Sequence, residues 1–281
     1  MNGPIEKFQP ASRFAHLNPD EGDLGEGILG GFSSLTYRGK IWKLRHAGET
    51  YTFTREDDGT PIPYIDVVIL NRSPYLSQVY YAGAFEEDRN DPPDCASLRG
   101  DVPDPGVPSP QSETCAMCSH FQWITKPDGR RGKECQTHRR VAVFLDPGMM
   151  QRLIGAPLLE PVYLKIPPAS LPAFKKYGNY LKDRRAHPAQ LVTRIGFSPD
   201  KIFQLTFTPG KKLADTDADV ILPLIDSSQT QQVIGTSGPA VVHEIEEVPF
   251  EPPKKLDKPV AFSGSISQAF AGSAIDRKSV V

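Results

Sequence analysis

The sequence predicts a mainly β fold of the α+β class, in which a barrel-like sheet carries an inserted cysteine-rich element and one or two peripheral helices. Four segments between residues 36 and 85 are rich in β-branched and aromatic residues and are separated by turn residues, as strands are. All four cysteines fall between residues 95 and 135, in a segment with few large apolar residues. The segment 168–184 has the apolar spacing of a helix that packs on a sheet.

The predicted elements follow in chain order. The strand-like segments are TYRGKIWKLRH (36–46), ETYTFTRE (49–56), YIDVVILNRS (64–73), SQVYYAGAF (77–85), VAVFL (141–145), PVYLKI (161–166), QLVTRIGFS (190–198) and KIFQLTFTP (201–209). In the helix over 168–184, two prolines fit the first turn, and Leu171, Phe174 and Leu181 form an apolar face. Residues 214–235 predict a further short helix.

Composition divides the chain into three parts. Residues 1–35 mix Gly, Pro and acidic residues without a strand or helix period, which indicates an N-terminal arm. Residues 36–238 form the barrel domain, which the cysteine-rich insertion interrupts at 86–140. Residues 239–281 begin with an acidic, proline-containing stretch and end in a Ser-, Gly- and Ala-rich segment, which predicts a flexible, disordered tail.

Overall composition also limits the class of protein. With 38% hydrophobic residues and a mean hydropathy of −0.37, the chain can build a core and reads as soluble. It shows no apolar run of about eighteen residues and no secretion signal, so we expect a cytoplasmic location without membrane contact. The formal net charge of −2 excludes a globally basic nucleic-acid coat, so the local distribution of charge matters more.

The cysteines have the spacing of a metal site. Cys95, Cys115, Cys118 and Cys135 form the pattern C-x19-C-x2-C-x16-C. Zn²⁺ prefers tetrahedral thiolate coordination, and a Cys-x-x-Cys turn brings two sulfurs to one ion while separate segments supply the others. Because the surrounding segment has little apolar surface to bury, the pattern predicts one structural zinc ion in a zinc ribbon with four cysteine ligands. Two disulfides are the alternative, which the lack of a secretion signal disfavours.

Two histidines leave the ligand set open, because His120 and His138 lie close enough in sequence to replace one cysteine. A catalytic zinc is disfavoured, since no His-x-Glu element of the deaminase type precedes Cys115. The chain also lacks a Walker motif, a G-x-S-x-G motif and an HExxH motif. We therefore predict no enzymatic activity.

Basic and aromatic residues occur together in three regions: the first strands, the window 121–140 and the segment 175–185. Basic side chains neutralise phosphates, and aromatic rings stack on exposed bases without reading sequence, although core packing is the alternative role for each ring. A sheet face with aromatics and a basic rim is typical of an OB-like barrel. The candidate nucleic-acid contacts are Arg38, Lys40, Trp42, Lys43, Tyr51, Phe53, Trp123, Arg130, Arg131, Lys133, Arg139, Arg140, Lys175, Lys176, Tyr177, Tyr180, Arg184 and Arg185.

Four motifs carry a family resemblance: CASLRGDVPDP (95–105), CAMC (115–118), GKEC (132–135) and RRVAVFL (139–145). Their order resembles that in the zinc-containing single-stranded-DNA-binding proteins of tailed bacteriophages. The resemblance implies an OB fold with a strand-binding groove, a structural zinc element and an acidic tail that recruits replication or recombination proteins. Here the last residues, AFAGSAIDRKSVV, are not acidic, and an acidic stretch lies further inward at 244–252.

Three functions remain after these observations. The leading hypothesis is a protein that coats single-stranded DNA with little sequence preference during phage DNA replication or recombination. The alternative is a zinc-ribbon adaptor that docks its basic ribbon on a polymerase or another replication or transcription protein. A nuclease ranks third, because no pair of carboxylates stands out as a metal site.

Overall fold

The computed structural model describes residues 32–82, 93–125, 129, 131–199 and 204–236. Residues 1–31 of the predicted arm, Arg130 and the predicted tail at 239–281 lie outside the described residues. The acidic stretch at 244–252 belongs to that tail, so it lies outside them as well.

The described chain is mainly β, with four α-helices. The strands are β1 (Ser34–Thr36), β2 (Lys43–His46), β3 (Glu49–Thr52), β4 (Tyr64–Arg72), β5 (Ser77–Tyr80), β6 (Cys95–Ser97), β7 (Ile124–Thr125), β8 (Arg131–Gly132), β9 (Gln136–Leu145), β10 (Val162–Ile166), β11 (Leu191–Phe197) and β12 (Leu205–Lys212). The helices are α1 (Pro147–Ile154), α2 (Leu171–Asp183), α3 (Asp215–Ile225) and α4 (Ser228–Ile234).

One large sheet organises the fold. Its main path runs β12-β11-β4-β9-β10-β1-β2-β3, and only β1 and β10 on this path pair in parallel. The sheet curls strongly and brings the two ends of this path together: Trp42, just before β2, stacks on Phe197 of β11 with ring centroids 5.2 Å apart. Lys40 Nζ also donates to the carbonyl oxygen of Ser198 at 3.2 Å. The mainly β prediction is confirmed, and the curled half-barrel is compatible with an OB-like barrel.

Apolar side chains cover both faces of this sheet. Along β4, Ile65, Val67 and Ile69 point into the concave core, whereas Val68 and Leu70 point to the convex face. Helices α1 and α2 contribute to the concave core, and α3 and α4 cover the convex face. Burial on two faces explains why the β4 segment reads as a continuous apolar run rather than an alternating one.

The described residues contain four α-helices, more than the one or two that the sequence predicted. The helix predicted at 168–184 is confirmed as α2, but the region 214–235 forms two helices, because the Ser227 hydroxyl caps a new helix by accepting from Thr230 N at 3.1 Å. Helix α1 was not predicted. Its sequence signals are the N-cap Asp146, which accepts from Gly148 N at 2.9 Å, and Gly155, which ends the helix at a φ of +81°.

The barrel begins slightly earlier than its predicted boundary. Residues Ser34 and Leu35, placed in the arm over 1–35, pair with β10 on one side and β2 on the other. Leu35 is only 2% exposed, so it belongs to the barrel core. Within the part of the chain that the structure describes, no helix combines the length and the apolar character needed to cross a membrane.

Candidate metal centre and nucleic-acid surface

The described residues between 77 and 138 form a unit around the cysteines, which we name the cysteine module. The module is continuous with the barrel sheet, because one uninterrupted strand, β9, belongs to both. The C-terminal half of β9, Val141 to Leu145, pairs with β4, while the N-terminal residues of β9, Gln136 to His138, pair with β5. The predicted insertion at 86–140 therefore ends inside a strand rather than at a loop.

Strand register brings two cysteines to one face of the module. Strand β5 lies between β6 and β9, and its Tyr80 pairs directly with Cys95 of β6. On the other side Val79 pairs with Gln136, and Cys135 Sγ lies 4.0 Å from Oε1 of Gln78. Gln78 and Tyr80 point to the same face of β5, so Cys95, which is opposite Tyr80, and Cys135 lie on one face of the sheet.

A short turn supplies the other two cysteines. The 3-10 turn Cys115–Met117 is closed by a hydrogen bond of 3.3 Å from Cys118 N to the Cys115 carbonyl oxygen. Cys115 N donates to the carbonyl oxygen of Asp101 at 2.8 Å, which fastens the turn to the loop after β6. Cys135 N donates to the carbonyl oxygen of His120 at 2.9 Å, which joins Cys135 to the segment that follows the Cys-x-x-Cys turn. All four cysteines consequently line a single pocket.

The pocket gathers thiols rather than disulfides, because all four cysteines are free. Burial, followed by the nearby Cys115, Cys118 and Cys95, raises the pKa of Cys135 to about 12. Burial also raises the pKa of Cys115, with Cys95 and Cys118 as further causes. A divalent cation would stabilise the thiolate forms that these neighbours disfavour, because metal binding requires deprotonated cysteines. Four cysteine sulfurs are a ligand set that Zn²⁺ prefers. In the described residues, however, no group of three or more His, Cys, Asp or Glu is already arranged to hold a metal ion.

Neither alternative histidine ligand lines the pocket. The ring of His120 stacks on Tyr80 at 4.0 Å between centroids, and its Nδ1 lies 2.5 Å from Glu134 Oε2. His138 is 3% exposed and points to the opposite face of β9, because its neighbour Thr137 bonds Gln78 on the cysteine face at 2.9 Å. The structure thus brings together the four thiols and leaves both imidazoles outside the pocket.

Aromatic and basic side chains that are exposed or partly exposed cluster beside the cysteines. Trp123 is 62% exposed, and Lys133 Nζ lies 5.7 Å from the centroid of its ring. The same ammonium lies 3.4 Å from the Phe121 ring centroid. Strand β7 begins just after Trp123 and pairs with the short strand β8. Arg131, on β8, is exposed as well. We name Phe121, Trp123, Arg131 and Lys133 the aromatic-basic tip.

Helix α2 presents a second group of this kind. Tyr180 is 37% exposed, and the Arg184 guanidinium lies 3.7 Å from its ring centroid. The remaining predicted residues of this helix region divide by exposure. Lys175, Lys176 and Arg185 are exposed, but Tyr177 is buried in the concave core and its hydroxyl is 2.7 Å from Thr193 Oγ1.

Four predicted contacts are core residues in this fold, which corrects their assignment to a nucleic-acid surface. Trp42, Phe53 and Tyr177 pack inside the half-barrel with at most 5% exposure, so their rings have no free face. Arg140 is 3% exposed, lies 4.6 Å from the Tyr163 ring centroid and donates its Nε to Val233 O at 2.9 Å. The other described candidates reach solvent: Arg38, Lys40, Lys43, Tyr51 and Arg139.

Sequence reasoning missed a basic and aromatic group where β4 leaves the barrel. Arg72 ends β4, Tyr75 follows it, and the Arg99 guanidinium lies 4.8 Å from the Tyr75 ring centroid. The sequence signal was present in the run NRSPY, where a basic residue and a tyrosine flank a proline turn. It was overlooked because Arg99 lies far along the chain and only the fold brings it to Tyr75.

The described surface carries exposed aromatic and basic side chains, and four cysteines line one pocket. No protein-family model matches the chain, and comparisons with curated proteins and with solved structures gave no match.

Proposed function

We propose that the chain is a zinc-containing, non-enzymatic protein that binds single-stranded DNA with little sequence preference. The observation that carries this proposal is the aromatic-basic tip, where the indole of Trp123 is 62% exposed beside Lys133 and Arg131. An exposed indole offers a stacking surface to any base, and adjacent cations neutralise the phosphates on either side.

Magnitudes favour stacking as the role of the ring. Base-aromatic stacking contributes about 1–3 kcal/mol per base, whereas an indole left in water contributes nothing to folding. The second pair, Tyr180 with Arg184, has the same composition on a separate element. A protein with two such pairs suits a strand that passes over several sites without sequence readout.

Zinc and the barrel have structural roles in this proposal. Cys95, Cys115, Cys118 and Cys135 would hold one Zn²⁺ as thiolates, and the ion would fix the turn that precedes the aromatic-basic tip. The curled half-barrel would act as an OB-like barrel that supports the strand. The phage replication context, and recruitment of replication or recombination proteins through 244–252, follow from the family resemblance.

The direct test is fluorescence anisotropy with a labelled single strand of about thirty nucleotides and its duplex. We expect tight binding to the single strand and weak binding to the duplex. If six to ten phosphates are neutralised, affinity should fall by about 10³–10⁵ between about 50 mM and 200 mM salt. Absence of binding to the single strand at low salt would exclude this function.

Replacing Trp123 with Ala tests the tip itself. We expect binding about tenfold weaker or more, because one stacking contact is lost. Leu222→Ala is the matched control, since Leu222 is an equally exposed apolar residue (64%) on helix α3 and should leave affinity unchanged. Intrinsic fluorescence gives a second readout: bound DNA should quench Trp123, whereas Trp42 is fully buried and serves as an internal reference.

A protein adaptor is the second candidate, and one observation favours it. Met117 is 79% exposed in the Cys-x-x-Cys turn, so with Trp123 it adds apolar surface of the kind that proteins bury at interfaces. An adaptor would ignore bare oligonucleotides at low salt. A chain that fails the anisotropy test yet loses a replication or transcription partner on Met117→Ala would support this second function.

A further inference from the structure

Two arginines meet where the barrel continues into the cysteine module. Arg72, the last residue of β4, pairs with Val141 of β9, and Arg139 lies two residues before Val141 on the same face. Arg139 Nη1 donates to the carbonyl oxygen of Ser73 at 2.6 Å. Arg72 Nη1 approaches the same oxygen at 3.4 Å. Two guanidinium groups are thus held against a single acceptor.

No carboxylate compensates these charges within the described residues. The ion pairs found there involve His46, Arg99, His120, Arg152 and Arg194, and neither Arg72 nor Arg139 takes part in one. Burial lowers the pKa of Arg139, and the charge of Arg72 lowers it further. A pair of like charges, one of them half-buried, is unfavourable in isolation and becomes favourable when an anion lies between them.

The location of the pair suits an extended anionic ligand. On one side along β9, Val141 enters the concave core, and on the other side Thr137 bonds Gln78 on the cysteine face. Arg72 is exposed and Arg139 is partly exposed, so solvent reaches both guanidinium groups. The pair therefore lies between the barrel and the module that carries the aromatic-basic tip.

We propose that Arg72 and Arg139 form a phosphate-binding site at this junction. A phosphate group accepts several charge-assisted hydrogen bonds from paired guanidinium forks, which a point charge cannot reproduce. That the phosphate belongs to a nucleic-acid backbone rests on the proposed function; the affinity for phosphate itself does not.

The first arm of the test uses the full chain and a single-stranded oligonucleotide. Arg72→Gln and Arg139→Gln should each weaken binding about tenfold and make the slope of log affinity against log salt shallower by about 1. Arg152→Gln is the matched control, because Arg152 is already paired with Glu56 at 2.8 Å and should leave both quantities unchanged. Unchanged affinity and slope in both junction variants, with wild-type binding intact, would overturn the site and leave the proposed function standing.

The second arm uses inorganic pyrophosphate and the thermal midpoint of unfolding. Pyrophosphate should raise the midpoint of the wild-type protein and of Arg152→Gln, but not that of the double variant Arg72→Gln/Arg139→Gln. A rise of the midpoint in this pattern, in a protein that does not bind the single strand, would support the phosphate site and exclude the proposed function. The absence of a selective rise in this arm would overturn the site as well.

Stability without ligand separates a binding role from a structural one. Relief of the repulsion predicts that Arg72→Gln keeps or slightly raises the ligand-free midpoint, since its hydrogen bond to Ser73 is long. A lowered midpoint with unchanged pyrophosphate binding would make Arg72 a structural residue and overturn the proposal.

Discussion

The barrel and the cysteine module are stabilised by different interactions, although strand β9 runs through both. In the barrel, every β9 residue from Val141 to Leu145 is buried between two apolar layers. In the described part of the module, no aliphatic side chain is buried; Tyr80, Cys115 and Cys135 are its buried apolar residues. The barrel is stabilised by removing apolar surface from water, whereas the described part of the module is joined largely by hydrogen bonds.

This difference shows how a small module can present apolar rings to solvent. A unit held together by apolar burial would draw its aromatics inward, as the barrel does with Trp42 and Phe53. In the module, by contrast, Trp123 and Met117 remain on the surface, as expected if the proposed zinc ion rather than apolar burial stabilises it. We therefore expect the source of stability to decide which aromatic rings face solvent.

The largest expected effect comes from removing the proposed zinc ion. A structural Zn²⁺ contributes about 10–16 kcal/mol to folding its site, so chelation should unfold the module and leave the barrel folded. Hydrogen exchange should then accelerate across 95–135 and stay slow in β10. Cys135→Ser should reproduce the effect, whereas Ser119→Ala, at an exposed serine of the same module, should not. Equal exchange with and without chelator would contradict a zinc-dependent module.

A smaller effect is expected from the barrel. Phe144 is fully buried on the convex face, so Phe144→Ala should lower the free energy of unfolding by about 3–5 kcal/mol. Urea unfolding followed by Trp42 fluorescence measures this change. Leu222→Ala, at an exposed position, should alter it by less than about 0.5 kcal/mol. Bound zinc should be the same in all three proteins, and its loss in Phe144→Ala would mean that the two regions are not separately stabilised.

The smallest effect concerns His138, which lies where the two regions join. Burial, followed by Lys165 and Arg140, holds the pKa of His138 well below its usual value. The unfolded chain takes up a proton below about pH 6.5 and the folded chain does not, so stability should fall as pH drops below that value. The expected slope is about 1.4 kcal/mol per pH unit.

Urea unfolding at several pH values checks this slope. His138→Gln should flatten it, whatever the substitution does to stability at neutral pH. His187→Gln, which changes an exposed histidine, should keep the wild-type slope. A wild-type slope in His138→Gln would assign the acid sensitivity to other groups.

The sequence predicted the mainly β fold, most strands of the barrel and helix α2, because each rests on a local pattern. It did not predict the short strands β6, β7 and β8 of the cysteine module. It could not decide which rings face outward, because both faces of the sheet are covered and alternation alone does not identify the solvent side. Trp42 and Trp123 have similar basic neighbours in the sequence, yet one is buried and the other exposed.

Adjacent arginines show the same limit. Arg139 and Arg140 point to opposite faces of β9, so one reaches the junction and the other packs under helix α4. The pairing of β9 with β4, β5 and β10 sets these directions, and that pairing joins residues distant in sequence. Arg72 and Arg99 were missed for this reason, because their partners are contributed by other parts of the chain.

The continuity of β9 through barrel and module restricts how this protein can be divided by engineering. A fragment cut at the predicted insertion boundary, 86–140, would discard β5 and leave Gln136 to His138 as an unpaired strand edge. A fragment that carries the aromatic-basic tip would have to keep Ser77–Tyr80 with Gln136–Leu145 and give the uncovered part of β9 a new neighbour. Conversely, a graft of another module would have to match the register of these two strands rather than a pair of loop ends.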